Sequence, residues 1–235
     1  FLLLASLVYL STVGTKAETD LLQQYIPIAK MRSLTLPDGT KVQLNSKSTL
    51  LYPHEFTGDS RSVFLLGEAN FKVKPDKKRP FIVKSNDLQI TALGTEFNVS
   101  AYPESQEIAT TLISGSIRVD YNNLTTSVIL HPNEQFAYNR NNKKYDLSNP
   151  DMDDVTAWQR GELVLQKMTL TDIINVLERK YPYAFVYSIK NLKNDRFSFR
   201  FKDNAPLEEV MEIIVNVVGQ MDYRIVEDKC YLTRI

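Results

Sequence analysis

Residues 34–44 read LTLPDGTKVQL, in which two stretches of alternating apolar residues flank an Asp38-Gly39 pair. Gly39 readily takes the positive φ angle that a tight turn requires, so this pattern predicts a β-hairpin. Short stretches of this kind, separated by turn residues, continue as far as Leu147. Because no segment among them has the helical spacing of apolar residues, we expect an all-β fold, either a sandwich, a barrel or a solenoid-like sheet.

The strands predicted after the hairpin are short and evenly spaced. Gly67, Gly94 and Gly115 fall between them, where a bulge or a sharp corner is expected. The predicted strands are residues 63–66, 69–73, 81–84, 88–93, 96–101, 108–113, 116–121, 127–130 and 135–139. We assign residues 30–150 to this all-β domain.

The pattern changes after the turn residues Asn149-Pro150-Asp151, where we expect a domain boundary. Residues 169–181 carry apolar side chains with the spacing of an amphipathic helix, and a second helix is predicted between Pro206 and Gly219. Strands are predicted at residues 163–165, 184–187, 197–201, 223–226 and 230–233. The order β-α-β-β-α-β-β predicts a small α+β domain over residues 151–235.

The first residues are strongly apolar: Phe1 to Leu10 reads FLLLASLVYL and contains no charged residue. Such a run fits either the end of a transmembrane helix or the core of a signal peptide. A buried amphipathic helix is disfavoured because the run is apolar on every face. We favour the membrane helix, with residues 1–13 as its end, and we assign residues 1–29 to the end of that helix and a linker.

The composition argues against several classes of function. The chain has 28 basic and 28 acidic residues, so it lacks the net positive charge that nucleic-acid binding normally needs. The only two histidines, His54 and His131, lie far apart in the sequence, which argues against a metal site, and Cys230 is the single cysteine. We find no catalytic motif, and we predict a protein that is not an enzyme and holds no cofactor and no metal ion.

A series of motifs along the chain resembles the FecR family of anti-sigma factors, in the form common in Bacteroidetes. The motifs are residues 36–45 (LPDGTKVQLN), 66–73 (LGEANFKV), 79–83 (RPFIV), 93–102 (LGTEFNVSAY), 112–119 (LISGSIRV), 130–138 (LHPNEQFAY) and 157–161 (AWQRG). Residues 161–235 resemble the short amino-terminal domain of secretins and TonB-dependent receptors. The departures from the family pattern are modest, at Asn70, His131 and Asn133.

The resemblance implies a sensor rather than a catalyst. Proteins of this family have a cytoplasmic segment that binds a sigma factor, one transmembrane helix and a periplasmic region. The implied mechanism is a relay: the signalling domain of a TonB-dependent outer-membrane transporter contacts the carboxyl-terminal part of the periplasmic region. Regulatory proteases then cleave the anti-sigma factor and free an extracytoplasmic-function (ECF) sigma factor. The chain would be the periplasmic part of a single-pass inner-membrane protein, without the cytoplasmic segment.

Strand addition at an exposed sheet edge is the binding mode that we expect for the transporter domain. The expected contacts are Phe197, Phe199 and Phe201 in one strand and Tyr223 and Ile225 in another, although these residues also fit an ordinary core. An alternative function is a periplasmic glycan-binding or scaffold module. The 12 Tyr and 11 Phe residues suggest this alternative, because sugar sites use exposed aromatic rings.

Overall fold

The computed structural model describes residues 20–188, 195–202 and 205–234. Buried apolar side chains form two separate hydrophobic cores, one before and one after Pro150. We call the described residues before Pro150 the β unit and those after it the small unit. The predicted membrane-helix end, residues 1–13, lies outside the described residues. In the part of the chain that is described, no helix is both long and apolar enough to cross a membrane.

The β unit is one sheet of thirteen strands that curls into two layers. Its strands are β1 (Leu21–Tyr25), β2 (Arg32–Thr35), β3 (Lys41–Leu44), β4 (Thr49–Pro53), β5 (Arg61–Lys72), β6 (Phe81–Lys84), β7 (Gln89–Ala92), β8 (Glu96–Ala101), β9 (Glu107–Ser114), β10 (Ile117–Tyr121), β11 (Thr126–Leu130), β12 (Gln135–Asn139) and β13 (Tyr145–Ser148). Layer A has the order β1-β4-β5-β6-β7-β10-β11, and layer B has the order β2-β3-β5-β8-β9-β12-β13. Only the β5–β6 pair of these layers is parallel.

The two layers share β5, which passes from one to the other at Gly67. Residues before Gly67 pair with β4 and β6, and residues after it pair with β3 and β8. Gly67 has a φ angle of 103°, and a Cβ atom there would lie 2.5 Å from Oγ of Ser48. The sequence predicted two strands with a bulge or sharp corner at Gly67. The corner is present, but the division into two strands was wrong, because glycine lets the backbone bend here without ending the hydrogen-bonded ladder.

Side chains of both layers fill one core, which confirms the expected all-β class. The ring of Phe71 in layer B lies 5.9 Å from the ring of Phe81 in layer A. Further along the sheet, Tyr121 of layer A lies 5.2 Å from Phe136 of layer B, measured between ring centroids. Such aromatic pairs join the layers into a single packed interior.

Most strands were predictable, but three were missed. The predicted hairpin is β2 and β3, joined by a turn in which Gly39 has a φ angle of 89°. The strands β1, β4 and β13 were not predicted. The strand β1 pairs with β4 across residues that we had assigned to a linker, so the linker prediction was wrong for residues 21–25. Both β1 and β13 are edge strands with mostly exposed side chains, and so their sequences lack a clear buried alternation.

The small unit has the predicted order β-α-β-β-α-β-β after a short helical connection. Its elements are α1 (Met152–Thr156), a 3₁₀ turn (Ala157–Arg160), β14 (Leu163–Thr169), α2 (Leu170–Lys180), β15 (Ala184–Val186), β16 (Arg196–Phe201), α3 (Leu207–Val218), β17 (Met221–Val226) and β18 (Lys229–Arg234). The strand β16 pairs with β14, and β18 lies between β15 and β17. Both helices bury their apolar stripes in the core that these strands complete. The side chain of Thr169 caps α2 by accepting a hydrogen bond from the N–H of Asp172.

Candidate functional site: the contact between the units and the edge of β17

The outward face of layer B is covered by the segment that connects the two units. Asn98 and Thr111 are neighbours on β8 and β9 and alternate with core residues, yet only 5% and 2% of their surface is exposed. Polar side chains on the outer face of a sheet are normally exposed, so another element must cover them. Nε1 of Trp158, in the 3₁₀ turn, donates a hydrogen bond of 3.3 Å to Oδ1 of Asn98. Ala157 beside it is buried.

Arg179, near the end of α2, makes the second contact between the units. Its guanidinium carbon lies 3.8 Å from the centre of the Tyr102 ring, and its Nη1 donates to Oε1 of Glu104 over 2.7 Å. The backbone oxygen of Arg179 also accepts a hydrogen bond from the N–H of Ala29. Because Arg179 and Tyr102 are both buried, the cation–π contact is largely shielded from water, whereas the side chain of Glu104 is 37% exposed.

A cleft of about 810 Å³ beside these contacts is lined by residues of both units. Glu68 lines it and accepts hydrogen bonds from Nδ2 of Asn45 over 2.8 Å and from Nδ2 of Asn98 over 3.0 Å. Burial raises the pKa of Glu68 above its ordinary value of 4.5, and the two amide donors and the charge of Arg179 oppose this only in part. Glu68 is therefore a titratable group placed where the two units meet.

Ion pairs fasten the connecting segment, residues 151–161, to the rest of the small unit. Arg160 of the 3₁₀ turn pairs with Asp153 over 2.8 Å and with Glu162 over 3.1 Å. Arg200 of β16 pairs with Glu162 over 2.9 Å and also contacts Asp154. These groups are partly exposed, so each pair adds little stability alone, but together they orient the segment on β16.

The five residues predicted to bind a partner lie in the core of the small unit. Phe199 and Phe201 of β16 are buried, and Phe197 of the same strand packs against them. Tyr223 and Ile225 of β17 are partly buried against the same core, in the other small sheet. Their side chains are therefore not an exposed docking face, and partner binding by these residues stays a prediction that would have to use the strand backbone.

Within the described residues, β17 has a free backbone edge because β18 is its sole partner there. A two-residue turn joins the strands, and in such hairpins the flanking residues, here Val226 and Lys229, exchange both hydrogen bonds. Since this pattern alternates along an antiparallel ladder, the backbone groups of Ile225 and Tyr223 point away from β18. Consistent with that direction, the N–H of Tyr223 donates to Oδ1 of Asp222 over 2.8 Å.

Two kinds of reactive group, a metal cluster and an activated thiol, are not found among the described residues. These residues contain no group of three or more His, Cys, Asp or Glu side chains placed to hold a metal ion. Cys230 is buried, and burial raises the pKa of its thiol to about 11, so the reactive thiolate is scarce at neutral pH. The contact between the units includes the buried polar and charged side chains of Asn98 and Arg179, each with fixed partners, which suits recognition and coupling.

Sequence reasoning missed both contacts between the units. Trp158 and Asn98 are 60 residues apart, and Arg179 and Glu104 are 75 residues apart. One sequence carries no record of which distant residues meet. The available signal was Trp158 itself, the only tryptophan, next to the expected boundary. A large apolar side chain in a connecting segment indicates that the segment packs on something.

Comparison with protein families gives two matches. The family described as "FecR protein" matches residues 26–118, and the family described as "FecR, C-terminal" matches residues 162–232. No curated protein sequence matches the chain.

Two solved structures resemble the chain over nearly its whole length. Each is a crystal structure described as a "putative anti-sigma factor" from Parabacteroides distasonis. The first has a TM-score of 0.86 and 34% sequence identity, over 92% of this chain and 100% of that chain. The second has a TM-score of 0.85 and 34% identity, over 91% of this chain and 99% of that one. The likeness therefore includes both units.

Proposed function

Because the chain belongs to the FecR family of anti-sigma factors, we propose that it is the periplasmic sensor region of a membrane-anchored regulator. The family is regulatory rather than catalytic. In this proposal the chain receives a signal from a TonB-dependent outer-membrane transporter and passes it to an ECF sigma factor. The sigma factor binds a cytoplasmic segment of the protein, a single helix holds the protein in the inner membrane, and regulatory proteases complete its release.

The free edge of β17 is the observation that carries this proposal. An extended segment of the transporter's signalling domain would add to β17 as a further strand, using the outward backbone groups of Tyr223 and Ile225. Strand addition binds mainly through backbone hydrogen bonds. It is therefore compatible with side chains of Tyr223 and Ile225 that pack against the core. The bond between Tyr223 and Asp222 would occupy one edge donor until the partner arrives.

A substitution at Ile225 tests this docking mode. Ile225→Pro removes the outward N–H and leaves the inward bonds to β18 in place, because proline is tolerated where an edge residue's N–H faces outward. We expect the whole chain to bind the signalling domain of its transporter, measured by calorimetry, and Ile225→Pro to abolish binding. Ile225→Val, which keeps the N–H and most of the side chain, should bind normally. Normal binding by a folded Ile225→Pro protein would rule out docking at this edge.

The contact between the units supports the relay. Arg179 and Trp158 join the small unit to the β unit, so a partner that reorients the small unit changes contacts that the β unit also makes. We also propose that the two units are separate domains with their boundary near Pro150, since each has its own core. If the chain binds none of the transporters encoded beside it, the relay is contradicted.

A glycan-binding module remains the competing proposal, and the same protein tests it. Sugar sites stack on exposed aromatic rings, whereas most aromatic side chains of the β unit face its core. Among its described residues, the exposed aromatics are Tyr25, Phe64 and Tyr145. Saturable binding of oligosaccharides, together with no binding of signalling domains, would favour the glycan function over the relay.

A further inference from the structure

Layer A presents an apolar surface to solvent beside its edge strand β1. Leu21 and Tyr25 on β1 are 43% and 50% exposed, and Phe64 and Leu66 on β5 are 42% and 40% exposed. With Leu51 of β4, these residues form what we call the apolar patch. The outer face of an antiparallel sheet with one buried face is normally polar, and a cluster of exposed apolar side chains marks an interaction surface.

The strand register makes the patch continuous. Tyr25 pairs with Thr49, which pairs with Leu66, so these residues form one row across the sheet. In the next row of the same face Leu51 pairs with Phe64 on one side and with the exposed Gln23 on the other, and Leu21 lies one row further along, opposite Pro53. Side chains in neighbouring rows of one face are in contact range, and so the patch is a surface rather than a set of scattered residues. The patch lies on layer A, whereas the small unit covers the outer face of layer B.

The sequence before the patch indicates what covers it. The apolar run of residues 1–13 is followed by only seven residues before β1 begins at Leu21. Seven extended residues span at most about 25 Å. If the apolar run is held in a bilayer, this tether keeps the patch close to the lipid surface at a high effective concentration, so that even weak contacts are occupied.

The chemistry of the patch suits an interfacial position. It combines two aromatic rings, Tyr25 and Phe64, with aliphatic side chains. Nζ of Lys84 lies 5.4 Å from the centre of the Phe64 ring. Aromatic residues accumulate at the level of lipid headgroups, and lysine keeps its charge in water while its stem lies on apolar surface.

We propose that the apolar patch rests on the phospholipid surface of the membrane that holds the apolar run. This inference depends on the membrane anchoring in the proposed function and adds an orientation to it. Layer A faces the bilayer, and layer B with the small unit faces the periplasm. The small unit, which carries the edge of β17, is then on the side from which an outer-membrane partner approaches.

A fluorescence experiment on reconstituted protein tests the docking. The full-length protein, in which the apolar run belongs to the membrane helix, is incorporated into phosphatidylcholine–phosphatidylglycerol vesicles containing brominated lipid. Gln23→Cys, on the outward face of β1, carries an environment-sensitive label, while the native Cys230 is buried. We expect a blue shift and quenching at position 23, and neither at Asn141→Cys in the turn before β13. Adding Phe64→Ser and Leu66→Ser should reduce the quenched fraction about tenfold.

A control variant with two substitutions tests whether the effect is specific to the apolar patch, and a flotation assay separates docking of the patch from anchoring of the protein. Leu147→Ser with Val217→Ser removes two apolar side chains elsewhere that are at least as exposed, 48% and 59%, and should leave quenching unchanged. Protein that floats with vesicles while position 23 stays unquenched overturns the docking and leaves the anchoring intact. Protein that does not float overturns both. A blue shift without quenching, accompanied by a doubled mass after cross-linking, assigns the patch to a second copy of the chain and also overturns lipid docking.

Discussion

Arg61 and Asp38 form an ion pair that is almost completely removed from water. Their side chains are 1% and 4% exposed, and Nη1 of Arg61 lies 2.7 Å from Oδ2 of Asp38. Arg61 also donates to the backbone oxygens of Arg79 and Lys74, and Asp38 holds the β2–β3 turn through Thr40. The pair therefore joins the first hairpin to the start of β5. A buried charge that loses its partner is far more costly than an exposed one.

We expect Asp38→Ala to lower the free energy of unfolding by about 3–5 kcal/mol, because it leaves the Arg61 charge buried and unpaired. Urea denaturation followed by circular dichroism measures the loss. Asp76→Ala, which removes the partner of the exposed Arg79, is the control and should have little effect. Equal losses in the two variants would mean that the buried pair has no special role.

Glu68 should make stability depend on pH in a definite direction. Burial raises its folded-state pKa, so as pH increases above 4.5 the unfolded chain ionises Glu68 first and becomes relatively more favourable. The contribution of Glu68 to the free energy of unfolding is therefore most favourable below pH 4.5, and it declines as pH rises through the raised pKa of Glu68. We expect Glu68→Gln to lack this decline when unfolding free energies of both proteins are measured across that range. An identical pH profile in the variant would contradict the assignment.

Among the elements, β5 is the one on which the fold of the β unit depends. It is the only described strand that belongs to both layers, and its bend lies at Gly67. The close approach of Ser48 and the positive φ angle both require glycine there. A side chain at Gly67 would therefore disturb the two layers together.

The substitution Gly67→Ala should lower the free energy of unfolding by more than about 2 kcal/mol, since it adds backbone strain and a clash with the Cα atom of Ser48 at 2.7 Å. Gly58→Ala is the control. Gly58 has no positive φ angle and nothing lies within 4 Å of a Cβ atom there, so the free energy of unfolding should change by less than about 0.5 kcal/mol. Thermal denaturation compares the two variants, and a similar loss of stability in both would contradict the requirement for glycine at position 67.

Local signals explain which elements the sequence predicted. The Asp38-Gly39 turn and the apolar stripe of α2 can each be recognised from a pattern of about a dozen consecutive residues. Both the hairpin and the helix are present as expected. The edge strands β1 and β13 bury too few side chains to show a pattern. The continuity of β5 was hidden because glycine is as typical of a strand break as of a bend.

On the scale of the whole molecule, Arg179 is a polar link between the units. Its guanidinium group contacts Tyr102 and Glu104, and its backbone contacts Ala29. No pattern in the sequence indicated these partners, because long-range contacts between folded units leave no periodic signal. The family resemblance predicted a function, but it did not predict which residues connect the two units.

We expect Arg179→Met to loosen the small unit from the β unit without unfolding either. Methionine keeps much of the apolar stem but loses the cation–π contact and the ion pair. Limited proteolysis should then cleave residues 149–161 several-fold faster, and calorimetry should resolve two unfolding transitions. Arg224→Met removes an exposed arginine that stacks on Tyr231 within the small unit and should change neither result. Unchanged cleavage in Arg179→Met would show that other contacts hold the units together.

The position of β13 has a mechanical consequence. This strand leads directly into the connection to the small unit, and it is held to β12 by four residue pairs, from Tyr145 to Ser148. Once the Trp158 and Arg179 contacts are broken, tension applied through the small unit would act on β13 at Ser148. It would then break the residue pairs between β13 and β12 one after another. The strand β5, which has neighbours on both sides, would carry little of that load. A transporter that pulls on its partner would therefore strip β13 first and lengthen the extended chain between the units while the rest of the sheet stays folded.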